Sequence, residues 1–505
     1  MTAWLRRHPL AAFLPLQALL YCWNLTLLAP WGDEAGTLLM VRRPLQELIR
    51  FAAIDVHPPL YYLLLFYWQK IPLGIDWAAQ ARLLSVLFAL LGTWALDHFW
   101  GRRAETRTRI VLLALWTLSP CLLLYARMCR SYSLQALLTI VAAAVLSRVA
   151  AQVTWRRTAL LSLVLLAALY THYVAGIALI ATANLTLFYR RRWRPAAAID
   201  CAIAAGYLPW VWRLVASVAS WGSNGRSYTL TGSSVLEVPV KLAYWSMSFV
   251  MGEAVPDAVL LLGGLLVPLV LVVAWRGARR IPEVAWLAAA LGAIGFIGVA
   301  RWVSYPFVPA RMLFVLPIFL LLFAQGATQG TAAGGTGGRP RWGSLAAAAM
   351  LLLSLSGICC YFHKTGFRNK QYPMPMREIA GRILRDSAPG ESAILVDSTN
   401  SDPIALAYAL DGKRPILQTG LPETPAELTR LLTDPGIRTV WFLRNTHDVS
   451  PAGLNAQFQA LLNARMTETV RPYEPYSPLE RLLMGTHGGA REAPQYFHEL
   501  LEFRR

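Results

Sequence analysis

Residues 10–34 read LAAFLPLQALLYCWNLTLLAPWGDE. No charge interrupts positions 10–30, and two adjacent carboxylates, Asp33 and Glu34, follow almost at once. The hydrocarbon core of a bilayer takes about 20 apolar residues per helix, so this stretch reads as a membrane span that delivers a pair of acids to the surface. It follows Arg6, Arg7 and His8, as in the basic start of a signal peptide. It ends in Leu-Ala-Pro-Trp-Gly rather than at a small-residue cleavage site, and further spans come after it. It is therefore expected to be a retained helix.

The composition of the whole chain agrees. Of 505 residues, 56% are hydrophobic and only 15% are charged, against about a quarter charged in a soluble domain. That excludes disorder, a collagen-like repeat and a disulfide scaffold. The net charge is +19, from 47 Lys and Arg against 28 Asp and Glu. In a soluble chain such an excess would suggest nucleic acid. Here the basic residues interrupt long apolar runs, as cytoplasmic loops do, so membrane lipids and not nucleic acid are the expected surroundings. The six cysteines (Cys22, Cys121, Cys129, Cys201, Cys359, Cys360) show no CxxC pair and no Cys/His ligand spacing, so no zinc or redox motif is visible.

Ten further spans read at about 79–100, 109–126, 132–150, 157–171, 172–189, 196–218, 256–275, 282–303, 306–325 and 344–362. Every second connection is basic: Arg102, Arg103, Arg107 and Arg109, then Arg156 and Arg157, Arg190–Arg192 and Arg194, Arg276, Arg279 and Arg280, and Arg339 and Arg341. The positive-inside rule makes those loops cytoplasmic. The expectation is a polytopic α-helical membrane protein of about 11 transmembrane helices, with its N-terminus cytoplasmic. After about residue 364 charges and prolines become frequent. Short apolar runs (392–397, 438–443) alternate with helical patterns (376–384, 402–410). That pattern implies a small extracytoplasmic α/β domain with a parallel sheet. The expected domains are thus 1–363 and 364–505, with a first external loop at about 31–78.

That loop is far longer than an ordinary connection, and long loops are often functional. Asp33 and Glu34 open it, either as general base and helper or as first-turn residues of a helix at 34–50, and the two roles are compatible. Asp55, His57, Pro58, Pro59, Leu60, Tyr61 and Tyr62 follow. The prolines suit a helix start, whose unpaired N–H groups would face His57 and a nearby anion. Otherwise His57 is simply a polar residue before that helix. Tyr61, Tyr62, Tyr67 and Trp68 fit an interfacial aromatic belt.

Positive charge also occurs where it should be scarce. Arg127 and Arg130 lie in one short external turn, His172 in another, and Arg301 and Arg311 flank a third. One such cation is explained by snorkelling to headgroups. Several together suit an anionic lipid headgroup, and Arg is the residue for bidentate phosphate contact. Carboxylates and cations at one membrane face describe sugar transfer from a polyprenyl phosphate. The cations neutralise the leaving phosphate, and a carboxylate takes the acceptor proton.

With these residues in view, the chain resembles the GT-C membrane glycosyltransferases of the protein O-mannosyltransferase and lipid A aminoarabinose transferase type. Asp33-Glu34 matches the family's acidic pair, whose Asp is catalytic. His57-Pro58-Pro59-Leu60 matches its (His/Lys)-Pro-Pro-Leu motif near the donor phosphate. The segments 125–132 and 309–317 are similar to its second external loop and its late Arg motif. The resemblance implies a GT-C fold and inversion at the anomeric carbon by direct displacement from a polyprenyl-monophosphate sugar. The acceptor would be a glycan, lipid or protein at the outer face of a bacterial inner membrane. Some relatives carry an acid in the second external loop, where Ser133 and Gln135 stand here, and Asp55 is a candidate substitute. Some bind a divalent metal, for which no ligand spacing exists here. Two other readings stay open: an O-antigen ligase or polymerase of GT-C shape, and a lipid-linked sugar transporter.

Overall fold

A computed structural model describes residues 4, 7–54, 57–221, 237–302, 309–328, 342–396, 402–418, 424–445, 459–460, 462–464, 466–487 and 495–505. The chain forms two compact units. One comprises Met1–Leu25 and Met40–His363, the other Thr26–Leu39 and Lys364–Arg505.

The first unit is helical. Among the described residues six helices are long and apolar enough to cross a membrane: Trp77–Arg103, Tyr132–Ala151, Trp193–Ala216, Asp257–Ala278, Pro309–Ala327 and Trp342–Phe362. The pair Thr106–Thr117 and Pro120–Ala126 makes a seventh if taken as one span bent by 47°. Pro9–Cys22, Tyr173–Tyr189 and Pro282–Ile297 are shorter apolar helices. A helix thus forms in each expected stretch, but fewer than eleven qualify by length. The first shows why: its helix stops at Cys22, just before Asn24 adopts a φ of 45°, a conformation that ends helices. An additional helix, Glu237–Met251, lies where no span is expected.

Two contacts show how this bundle is locked. Asp97, fully buried at the end of the Trp77–Phe99 helix, receives Nε and Nη2 of Arg109 at 2.6 and 2.8 Å. Such a bidentate pair is the strong form of the charged hydrogen bond. Elsewhere Gly277 and Gly326 let two helices touch backbone to backbone. A Cβ on either would fall 1.9 Å from the carbonyl oxygen of Leu322 or Val273. Small residues at such crossings are what lets membrane helices approach closely.

The second unit is built on a five-stranded sheet: β1 (Ser392–Val396), β2 (Leu417–Gln418), β3 (Thr439–Asn445), β4 (Thr467–Pro475) and β5 (Tyr496–Arg504), in the order β2-β1-β3-β5-β4. β2, β1 and β3 run parallel, but β5 is antiparallel to both β3 and β4. The parallel sheet expected from the sequence is present in β2, β1 and β3, and the antiparallel β5 and β4 make the whole sheet mixed. The apolar runs at 392–397 and 438–443 belong to the parallel half, buried on both faces as such strands are. β4 is a half-exposed edge strand of alternating character, so it left no apolar run to read.

Side chains of β3 alternate between two cores. Trp441 and Leu443 pack with Ile394, Ile379, Ile383 and Leu406, while Val440 and Phe442 pack with Leu395, Leu462 and Phe503. Ala35, on the Gly32–Val41 helix, belongs to the first of these cores. Trp31 meets the ring of Tyr372 edge-on at 5.1 Å. The segment that carries Asp33 and Glu34 is therefore folded into the α/β unit.

Candidate functional site

Within the helical unit four turns carry Arg130, Arg311, His57 and His172. After the helix Leu45–Ile54 the chain passes His57 and enters the helix Leu60–Trp68 through Pro58 and Pro59. The prolines do start this helix, but the N–H of Leu60 is not left for an anion. It donates to the carbonyl of Tyr170 at 2.9 Å, which corrects that part of the expectation. The bond ties the His57 segment to the turn Tyr170–His172. Arg130, between Pro120–Ala126 and Tyr132–Ala151, donates through Nη2 to Nε2 of His57 at 3.1 Å and through Nη1 to the hydroxyl of Tyr62 at 3.3 Å. Its carbonyl accepts from Ser85, whose hydroxyl also meets that of Tyr61 at 2.7 Å. Arg311 lies in the 3-10 turn Pro309–Val315. Nε2 of Gln135 donates to the carbonyl of Ala310 at 2.8 Å and fixes that turn to the helix Tyr132–Ala151, which follows Arg130.

His172 caps the helix Tyr173–Tyr189, with Nδ1 accepting the backbone N–H of Ala175 at 3.3 Å. Burial, and then the neighbouring Arg311, His57 and Arg130, push its pKa down to about 3. The four residues therefore share one electrostatic environment. Such a group of donors can hold a tetrahedral anion such as a phosphate. Tyr61 and Tyr62 are buried within this frame, so they are not lipid-facing members of an aromatic belt. Tyr67 is exposed.

Arg127 does something else. Nη1 donates to the carbonyls of Leu20, Tyr21 and Trp23, Nη2 to that of Asn24, and Nε to the hydroxyl of Tyr361. Its guanidinium also lies 5.1–5.3 Å from the ring centres of Phe362 and Tyr361. The side chain is fully buried, and all three guanidinium nitrogens are engaged. It caps the C-terminus of the Pro9–Cys22 helix, where carbonyls lack helical partners. The expectation of a phosphate contact for Arg127 is corrected on that ground.

The remaining candidates fall as follows. Asp33 is exposed and Glu34 buried, both in the first turn of the Gly32–Val41 helix, and the carbonyl of Asp33 accepts the Thr37 hydroxyl at 2.9 Å. Asp55 lies outside the described residues, as does the side chain of Arg301, which the backbone places near the end of the Pro282–Trp302 helix. Among the described residues no three His, Cys, Asp or Glu side chains group to hold a metal ion.

One acid was missed. Glu253 follows the helix Glu237–Met251, is fully buried, and accepts hydroxyls from Tyr125 and from Tyr244, the latter at 3.0 Å. Burial pushes its pKa up to about 7, against the pull of the two hydroxyls. The Tyr125 ring packs edge-on against Tyr132, over which Arg130 lies at 5.9 Å. A lone carboxylate in the apolar stretch 247–256 was the signal. Gly252 before it has a φ of +80°, and a Cβ there would fall 2.8 Å from Pro120.

No family model matches the chain, and no curated protein is similar to it by sequence. Solved structures are. ArnT from Cupriavidus metallidurans bound to undecaprenyl phosphate aligns over 99% of this chain and 98% of that one, at 14% identity and a TM-score of 0.58. The same protein in its apo state gives 12% and 0.59 over the same shares. An oligosaccharyltransferase from Archaeoglobus fulgidus, in complex with zinc and sulfate, aligns over 86% of this chain and 67% of that one, at 11% identity and a TM-score of 0.48. The chain is a polytopic helical membrane protein with a small C-terminal sheet, and it has the GT-C fold of ArnT along nearly its whole length.

Proposed function

We propose that the protein is an inverting glycosyltransferase that moves one sugar from a polyprenyl-phosphate donor to an acceptor hydroxyl or phosphate at the external membrane face. The observation that carries this reading is the cluster of Arg130, Arg311, His57 and His172, assembled from separate turns of the helical unit. Isolated snorkelling cations need no such framework of serine, tyrosine and backbone bonds. The binding of undecaprenyl phosphate by ArnT, which shares the fold, supports a lipid phosphate as the anion.

In this reading the acceptor oxygen attacks the anomeric carbon and gives its proton to Asp33. The bond from that carbon to the phosphate oxygen breaks, and polyprenyl phosphate leaves. Arg130 and Arg311 neutralise the charge that grows on the phosphate, where preorganised donors have their largest effect. His57 orients Arg130. Glu34, buried beside Asp33 in sequence, holds that helix turn. The acceptor is a glycan, lipid or protein, and the membrane is a bacterial inner membrane with the N-terminus cytoplasmic and the C-terminal unit outside.

The test is mass spectrometry of lipids that copurify with Asp33→Asn, which should bind donor without consuming it. A polyprenyl monophosphate carrying one sugar supports the proposal and names the donor. A diphosphate-linked oligosaccharide moves the protein to the ligase class, and absence of any lipid-linked sugar favours transport or binding.

A further inference from the structure

The Nδ1 atom of His172 accepts a backbone N–H from Ala175. A ring nitrogen that accepts cannot also carry a proton, so the ring hydrogen is on Nε2 and the imidazole is uncharged. Nε2 faces away from the capped helix and makes no hydrogen bond among the described residues. The carbonyl of Tyr170 in the same turn holds the His57 segment through Leu60 at 2.9 Å, His57 in turn contacts Arg130, and Arg311, His57 and Arg130 all act electrostatically on His172.

We infer that His172 is an uncharged hydrogen-bond donor to the phosphate of the lipid substrate, its tautomer fixed by the helix it caps. The assignment rests on the transferase reading above. Two arginines already supply full positive charge. A third cation beside them would have to be desolvated against their repulsion, whereas a neutral N–H adds direction without charge. Burial and the neighbouring cations keep the ring unprotonated throughout the physiological range, in line with the low pKa. The tautomer makes the ring a donor in the one direction that the cap leaves open.

Two substitutions separate the cap from the donor. In His172→Asn the amide oxygen stands near the place of Nδ1 and Asn is a good N-cap, but nothing reaches as far as Nε2. In His172→Gln the amide N–H reaches that far and the cap is poorer. Binding of undecaprenyl phosphate to the purified full chain is measured beside the melting temperature. His172→Asn is expected to melt within about 2 °C of wild type and to bind about tenfold or more weakly, as for loss of a hydrogen bond to a charged group. His172→Gln is expected to melt lower and to bind within about threefold of wild type. The ratio of wild-type to His172→Asn affinity should stay constant from about pH 5.5 to 8.5, because no charge is lost.

Equal binding by wild type and His172→Asn overturns the donor role and leaves the transferase reading standing. So does a ratio that collapses as pH rises through about 6.5, the mark of a charged imidazole. A wild-type protein that binds no polyprenyl phosphate overturns the transferase reading, and this assignment with it.

Discussion

Nη2 of Arg130 lies 3.1 Å from Nε2 of His57. A guanidinium can only donate, so Nε2 of the imidazole accepts. The histidine therefore aims the arginine. Arg130→Ala and Arg311→Ala should each weaken undecaprenyl phosphate binding by about 10–100-fold, the loss of a charged hydrogen bond of about 1.5–3 kcal/mol. His57→Ala should weaken it by less. The Arg130/His57 double variant should bind about as Arg130→Ala alone, because residues in one network are not additive. Independent losses in a double-mutant cycle would contradict the pairing.

Arg127 stands three residues earlier and should behave differently. Its donors satisfy the carbonyl end of the first helix, so Arg127→Ala leaves buried carbonyls without partners. The expected result is a destabilisation of about 3 kcal/mol or more, seen as a lower melting temperature and poor recovery of folded protein. Whatever protein remains folded should bind the lipid normally. Arg127→Lys should rescue little, since one ammonium cannot span carbonyls that a planar fork reaches.

The contrast between these two arginines shows where sequence reading stops. The motif 125–132 marked a polar turn, because its polar residues stand out against apolar spans. It could not say that one arginine turns back to residues 20–24 and the other to His57, since that depends on a chain reversal between distant segments. Glu253 was hidden for the same reason: its partners Tyr125 and Tyr244 sit on different helices. The helices themselves were legible from unbroken hydrophobicity, but their ends were not, because Asn24 stops one by a backbone conformation and not by polarity. In the sheet, β3 announced itself as an apolar run, while β4 alternates at an edge and β5 mixes His and Glu with apolar residues.

Glu253 predicts a pH effect on stability. Its pKa in the folded state is raised from 4.5 to about 7, so the folded chain binds the proton more tightly than the unfolded chain. The stabilisation is complete below about pH 4.5 and is lost as pH rises through about 7. Glu253→Gln, which resembles the protonated form, should remove the fall in melting temperature between pH 5 and 8. A variant that keeps the same slope would show that another group is responsible.

The C-terminal unit holds a second such group with a different range. His498 is fully buried, with Nδ1 at 2.9 Å from Glu474 and Nε2 at 3.0 Å from Asp402, which also accepts from Asn445. Burial opposes its charge, but the two carboxylates outweigh burial and push the pKa from 6.5 up to about 9. Glu474 is itself shifted upward by burial, with His498, Asp402 and Lys370 acting on it. For the histidine the sign is that of a raised group: stabilisation is present below about pH 6.5 and is lost as pH rises through about 9. His498→Gln should lower the melting temperature at pH 6 and flatten the decline above pH 8. The two declines are distinguishable because each variant removes only its own.

Asp33 is exposed on the outer side of a helix whose inner residue, Ala35, is part of the α/β core. Truncating an exposed carboxylate should leave that core intact, so Asp33→Asn should melt close to wild type. Glu34 is fully buried, so Glu34→Ala should destabilise the unit and reduce activity only through the fraction lost. If Asp33 is the general base, its amide variant should lose about 10²–10⁴-fold in transfer rate while still binding lipid. Measuring turnover, lipid affinity and melting temperature on the same samples separates the two acids. Transfer near the wild-type rate by Asp33→Asn would remove Asp33 from the chemistry, whatever the cation cluster binds.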